Sequence, residues 1–131
     1  MLIARVGSLT CALPIEHVVE TMRPLPVEPR GDQPFVKGLS IIRGEPTVVI
    51  DTAVLLATER ANPTRFVVVR AGSRKVALTF DAVLGVENLG AKLTELPPLA
   101  RTAGDVVRSI GAVDRDLYVV LEAARLVEAA S

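Results

Sequence analysis

Tryptophan is absent from this chain, and three phenylalanines and one tyrosine are its only aromatic residues. So few flat rings exclude a base-stacking platform for single-stranded nucleic acid. An excess of one charge is lacking too: fifteen Lys and Arg residues balance fifteen Asp and Glu. No global positive field therefore draws the chain to nucleic acid. A single cysteine cannot close an internal disulfide. Cys11 lies among apolar neighbours and reads as a small buried hydrophobe. His17 is the sole histidine, and no second ligand stands at metal-binding spacing, so neither a metal nor another cofactor is expected. The glycines are scattered, and none builds a phosphate-cradling loop. Long apolar runs are missing as well. Asp51 and Arg70 interrupt the richest ones, and the N-terminus shows no basic segment leading into an apolar stretch. Neither membrane insertion nor a signal peptide is expected, and the expected location is cytoplasmic.

What is present is aliphatic. Half of the 131 residues are hydrophobic. That length supports one domain with its own core, and the apolar surplus fits equally a tight Val/Leu/Ala core or surface left for a partner. The richest pattern runs from Phe35 to Asp51. Two apolar, β-branched runs flank Arg43-Gly44-Glu45-Pro46, which predicts a β-hairpin with Arg43 at its tip. A guanidinium cannot discharge by losing a proton, so Arg43 needs an acidic or carbonyl partner, within the protein or across an interface.

Around this hairpin the spacing predicts mainly short strands. Residues 1–6 and 9–15 read as strands turning at Gly7-Ser8, with Pro14 suggesting an edge. Residues 16–21 have helix-like spacing at Val18, Val19 and Met22. Prolines 24, 26, 29 and 34 make an extended loop. Thr52–Leu56 reads as a short helix capped by Asp51. Strands follow over 65–70 and 74–80, and a second helical turn starts at Asp81. A loop covers 89–102 around Pro97-Pro98. A hairpin joins 106–113 to 117–121 across Asp114-Arg115-Asp116, and a helix over 122–130 ends the chain. An internal echo links Thr47–Leu56, Ala77–Val86 and Tyr118–Val127: strand, acid, apolar turn. Carboxylate capping at a helix start explains Asp51 and Asp81 more simply than a general acid/base pair. With no nucleophile spaced near either, no catalytic residue is expected, and the protein is not expected to be an enzyme.

Gly38, then Arg43-Gly44, then a valine-rich strand closing on Asp51 resembles the central motif of CheW-like chemotaxis coupling proteins. Leu13-Pro14-Ile15 with Val18 and Glu20 resembles that family's early strand and turn. Asp81-Ala82-Val83 resembles its Asp-x-Val, and Ile110-Gly111 through Leu121 its closing hairpin. The pattern covers nearly the whole chain. Ile41 replaces the asparagine that usually precedes Leu-Arg-Gly, Val48 replaces a common proline, and Thr52-Ala53 replaces Leu-Arg. The resemblance implies an all-β fold with short helices: two SH3-like five-stranded β-barrel lobes side by side in a single domain. The expected division is residues 9–63 and 64–122, with strand 1–6 and helix 122–130 packing across.

The implied function is a non-enzymatic adaptor between chemoreceptors and a CheA-type histidine kinase. Its implied partners are the receptor's cytoplasmic hairpin tip and the kinase regulatory domain. Val18, Gly38, Ile42, Arg43, Val83 and Val86 are the expected receptor-binding residues, in a helix-in-groove mode between the lobes. Ile41, Glu45 and Val48 are the expected kinase-binding residues. Two other readings remain at this point: a divergent relative that binds receptors without coupling to the kinase, and an unrelated small β-barrel enzyme or ligand-binding protein.

Overall fold

The structure, a computed structural model, describes residues 1–59, 62–89, 94–96, 107–113 and 116–130. Among them are eleven strands: β1 Leu2–Val6, β2 Leu9–Leu13, β3 Val18–Met22, β4 Val36–Ile42, β5 Glu45–Ile50, β6 Arg65–Ala71, β7 Arg74–Phe80, β8 Ala82–Val86, β9 Thr94–Leu96, β10 Val107–Val113 and β11 Asp116–Leu121. Two short helices, α1 Thr52–Leu55 and α2 Ala123–Ala129, complete the framework. The strands form a five-stranded sheet, β3-β6-β7-β5-β4, and a six-stranded sheet, β8-β1-β2-β11-β10-β9. None of the described helices is long and apolar enough to cross a membrane.

The fold is two β lobes, as the resemblance implies, but sheet membership does not follow a division at residue 63. β6 and β7 join the lobe of β3, β4 and β5, while β1 and β2 join the lobe of β8 to β11. The cause is pairing. β5 lies parallel to β7, with Val48 opposite Val76 and Ile50 opposite Leu78, and β2 lies parallel to β11. Each parallel pair draws together strands far apart in sequence.

Period-two alternation sorts the side chains into three apolar layers. On β6, Val67 and Val69 face the large central core, while Phe66 and Val68 face a second cluster with Ile42, Val49 and Ala77. On β1, Leu2, Ala4 and Val6 face the central core, while Ile3 joins Ala12, Leu89 and Val120 on the far side. β1 and β6 are therefore buried on both faces, which their near-continuous apolar runs require. The central core lies between the sheets and takes in residues of both helices: Ala53 of α1, and Ala123, Leu126 and Val127 of α2. α2 leaves β11 and packs on β6 and β7 of the other sheet.

Several local expectations differ from the structure. β2, which ends just before Pro14, lies between β1 and β11 and not at an edge. Only Ile15–His17 forms a helical turn, a 3-10 one, and Val18–Met22 is strand. β-branched Val18, Val19 and Thr21 suit a pleated surface, and pairing with β6 supplies backbone partners that a one-turn helix lacks. Ala82–Val86 is likewise strand, because β1 offers it an edge. Thr94–Leu96, expected as loop, pairs with Ile110–Ala112. Arg60 and Ala61 of the expected connector, Pro97-Pro98 of the expected loop, Val106, and the turn residues Asp114 and Arg115 lie outside the described residues. α1 and α2 stand where the sequence predicts helices.

Candidate functional site

The site is built on the hairpin of β4 and β5. Ile42 pairs with Glu45, so the turn has two residues, Arg43 and Gly44. Their φ angles are 53° and 77°. Two consecutive positive φ values mark a type I′ turn, whose twist matches the flanking strands. Arginine in this conformation costs on the order of 1 kcal/mol. Its side chain is engaged: Arg43 Nη2 donates to Glu20 Oε1 at 2.8 Å and Nε to Oε2 at 3.2 Å. This fork spans the two edges of the five-stranded sheet, since Glu20 is on β3 and Arg43 follows β4. The sheet has rolled until its edges face each other, and the ion pair clips them. The guanidinium is 75% exposed and the Glu20 carboxylate 21%. Hydrogen bonding from Arg43 holds the Glu20 carboxyl below the ordinary carboxylate range, and the same bond raises Arg43. A second pair, Lys75 with Glu45 at 3.7 Å, ties the tip to β7.

Gly38 serves the same lobe by leaving room. Its φ is +147°, and a Cβ there would stand 1.9 Å from the Glu28 carbonyl oxygen. The proline-bearing loop lies directly over it. Glu28 and Leu39 exchange backbone hydrogen bonds at 2.8 and 2.9 Å, and the Ser40 hydroxyl donates to the Pro26 carbonyl. The loop thus covers part of the β4 edge that would otherwise invite strand pairing.

The expected receptor-facing residues divide. Val18 on β3 and Val83 on β8 are partly buried against the central core, and Val86 on β8 is 64% exposed. Ile42 is only 4% exposed and sits in the second cluster, beyond the five-stranded sheet. The structure therefore does not bring Ile42 into one cleft with Val18 and Val83. β-strand alternation decides this: Ile42 points into its own lobe, and its exposed neighbour Ile41 points out. Gly38 is buried and Arg43 reaches Glu20. Of the expected kinase-facing residues, Ile41 is 61% exposed, Glu45 is exposed, and Val48 is partly buried against the central core.

The sequence demanded a partner for Arg43 without identifying Glu20. An acid between Val18 and Met22, on a strand whose even residues turn inward, is the signal that could have found it. Leu84 and Leu117, both exposed, also escaped notice. Their strands, β8 and β11, carry apolar residues at almost every position, so alternation gave no hint of the outward face.

The acids that close β5, β7 and β11 have structural partners. Asp51 caps α1, accepting from the Val54 N–H at 3.2 Å. Asp81 caps no helix; its carboxylate accepts from the Gly7 N–H at 2.7 Å. Both border one small recess with Lys37 and Thr79. Glu122 precedes α2 without a side-chain capping bond and pairs instead with Arg125. His17 is exposed in the 3-10 turn, and among the described residues no group of three His, Cys, Asp or Glu residues could hold a metal. Burial pushes the Cys11 thiol up to about 12, so it is no nucleophile.

The arrangement is thus a pair of lobes with exposed apolar side chains and a clipped hairpin. The scaffolding protein TtCheW from Thermoanaerobacter tengcongensis has the same fold. The likeness has a TM-score of 0.80 and 20% identity, and covers 92% of this chain and 86% of that one. No curated protein matches. The CheW-like domain model matches residues 1–131. The chain belongs to the CheW-like domain family, a non-enzymatic family of chemotaxis scaffolds and adaptors.

Proposed function

We propose that this protein couples chemoreceptors to a CheA-type histidine kinase, holding each through a different surface. One observation carries the reading: exposed apolar residues occur on both lobes, Ile41 beside the clipped hairpin and Leu84 and Val86 on β8. An adaptor needs two such places, because one contact alone transmits nothing. Val86, exposed on β8, offers an aliphatic side chain to the apolar stripe of a receptor's helical hairpin tip, and the partly buried Val83 and Val18 are proposed to act with it. Ile41 and Glu45, both exposed beside the turn, and the partly buried Val48 are the residues proposed to meet the kinase regulatory domain. Gly38, Ile42 and Arg43 contribute by holding the first lobe in shape.

The test titrates the purified protein against a receptor cytoplasmic fragment and against a kinase regulatory domain, separately. Binding to both is the expected result. Binding to the receptor alone favours a receptor-binding relative without coupling, a reading supported by Ile41 standing exposed where the family usually has asparagine. Binding to neither overturns both.

A further inference from the structure

The chain passes from one sheet to the other between β7 and β8 with a single residue in between, Asp81. All three polar groups of that residue are in use. Its N–H donates to the Arg5 carbonyl at 2.8 Å, and its carbonyl accepts from the Thr64 hydroxyl. Its carboxylate accepts from the Gly7 N–H at 2.7 Å. Arg5 belongs to β1 and Gly7 to the β1–β2 turn, so the six-stranded sheet grips the crossover residue twice.

The same turn meets the other lobe at a second place. Gly7 has φ +55°, and a Cβ there would stand 2.6 Å from Thr58 Oγ1 and 2.8 Å from the Glu59 carbonyl oxygen. Ser8 Oγ donates to Glu59 Oε2 at 3.4 Å, and Thr58 Oγ1 donates to the same carboxylate oxygen at 2.8 Å. Thr58 and Glu59 follow α1, which packs on β7 of the five-stranded sheet. Residues that absorb a change of angle between two packed bodies are few and lie at element ends. Here those residues are pinned.

We infer that Asp81 is a positioning residue: with the Gly7-Ser8 turn it forms a clasp that fixes the angle between the two sheets. β8 starts at the next residue, so the clasp decides where Val83 and Val86 are presented. The consequence for binding rests on the proposed receptor-facing role of β8; the clasp itself does not.

The experiment separates the two. Cys11 is buried and its thiol stays protonated, so spin labels can be placed at Thr21→Cys on the five-stranded sheet and Arg108→Cys on the six-stranded sheet, both exposed. Pulsed dipolar distances are measured in the otherwise native chain, in Asp81→Ala and in Asp81→Asn. The native clasp gives one narrow distribution, and Asp81→Ala shifts or broadens it. Asp81→Asn restores it, because a carboxamide oxygen still accepts from the Gly7 N–H. A merely structural role would lower the melting temperature without moving the distances of the folded molecules. In unlabelled protein, Asp81→Ala weakens binding of a receptor cytoplasmic fragment about tenfold, which is about 1.4 kcal/mol. An altered distribution with unaltered affinity upholds the clasp and overturns the role of β8. An unaltered distribution overturns the clasp. If Asp81→Ala does not fold, amide hydrogen exchange of Gly7 in the native protein decides: strong protection is expected, and exchange at the rate of a free turn amide overturns the clasp.

Discussion

Glu20 and Arg43 are separated by 23 residues and meet through a two-pronged contact. Such exposed pairs add little to stability, so their value is geometric. Arg43→Lys keeps the charge but loses the planar fork. Its melting temperature should stay near wild type, while receptor-fragment affinity falls; equal affinity would reduce the pair to surface decoration. Acidity gives a second view. Glu20 and Glu59 both titrate below their ordinary value of 4.5, Glu20 through Arg43 and Glu59 through its own backbone N–H and the Thr58 and Ser8 hydroxyls. A carboxyl whose folded value is depressed stabilises the fold above the ordinary value, and that help is lost as pH falls through the folded one. Stability should therefore decline below pH 4.5. Glu20→Gln should make that decline shallower, as urea midpoints across the acid range would record. Asp51→Ala removes a cap that the structure contains and should cost about 1 kcal/mol in urea unfolding.

At the level of elements, the β4–β5 hairpin and the proline loop form one unit. Gly38→Ala would place a methyl group against the Glu28 carbonyl and force a positive φ on alanine. The backbone term alone is on the order of 1–3 kcal/mol. The loop should detach from β4, which faster hydrogen exchange at Glu28 and Leu39 would show; unchanged protection there would mean that the loop finds another seat. β8 offers a cleaner probe of binding than the partly buried Val83 allows. Val86→Asp changes a mostly exposed residue, so the fold should survive while receptor affinity drops. A charge left unpaired in a desolvated contact is costly. Full affinity in a folded Val86→Asp variant would move the receptor surface elsewhere.

The whole molecule depends on a core that neither sheet owns. Leu126 of α2 is fully buried in the central layer, where α2 from one sheet covers strands of the other. Leu126→Ala should cost about 2–5 kcal/mol. Both lobes should melt in one transition in wild type and variant alike. Two separate transitions in calorimetry would show that the lobes are independent. Cys11 reports the same event: its buried thiol should react with a thiol reagent only as fast as the molecule opens.

The amino-acid order by itself determined the strand-rich character, the hairpin with Arg43 at its tip, the helix behind Asp51 and the terminal helix. Each is a local matter: β-branched runs, a glycine able to take positive φ, a carboxylate before a short apolar turn. The same local rules failed at Val18–Met22 and Ala82–Val86, where a distant strand edge outweighed short-range spacing. They failed again at Asp81, whose oxygen was claimed by Gly7, 74 residues away. Only the tertiary structure decided which strands share a sheet, that Ile42 turns inward and Ile41 outward, and that Arg43 finds Glu20. Those outcomes depend on pairing and burial between segments remote in sequence, and no window along the chain contains both partners.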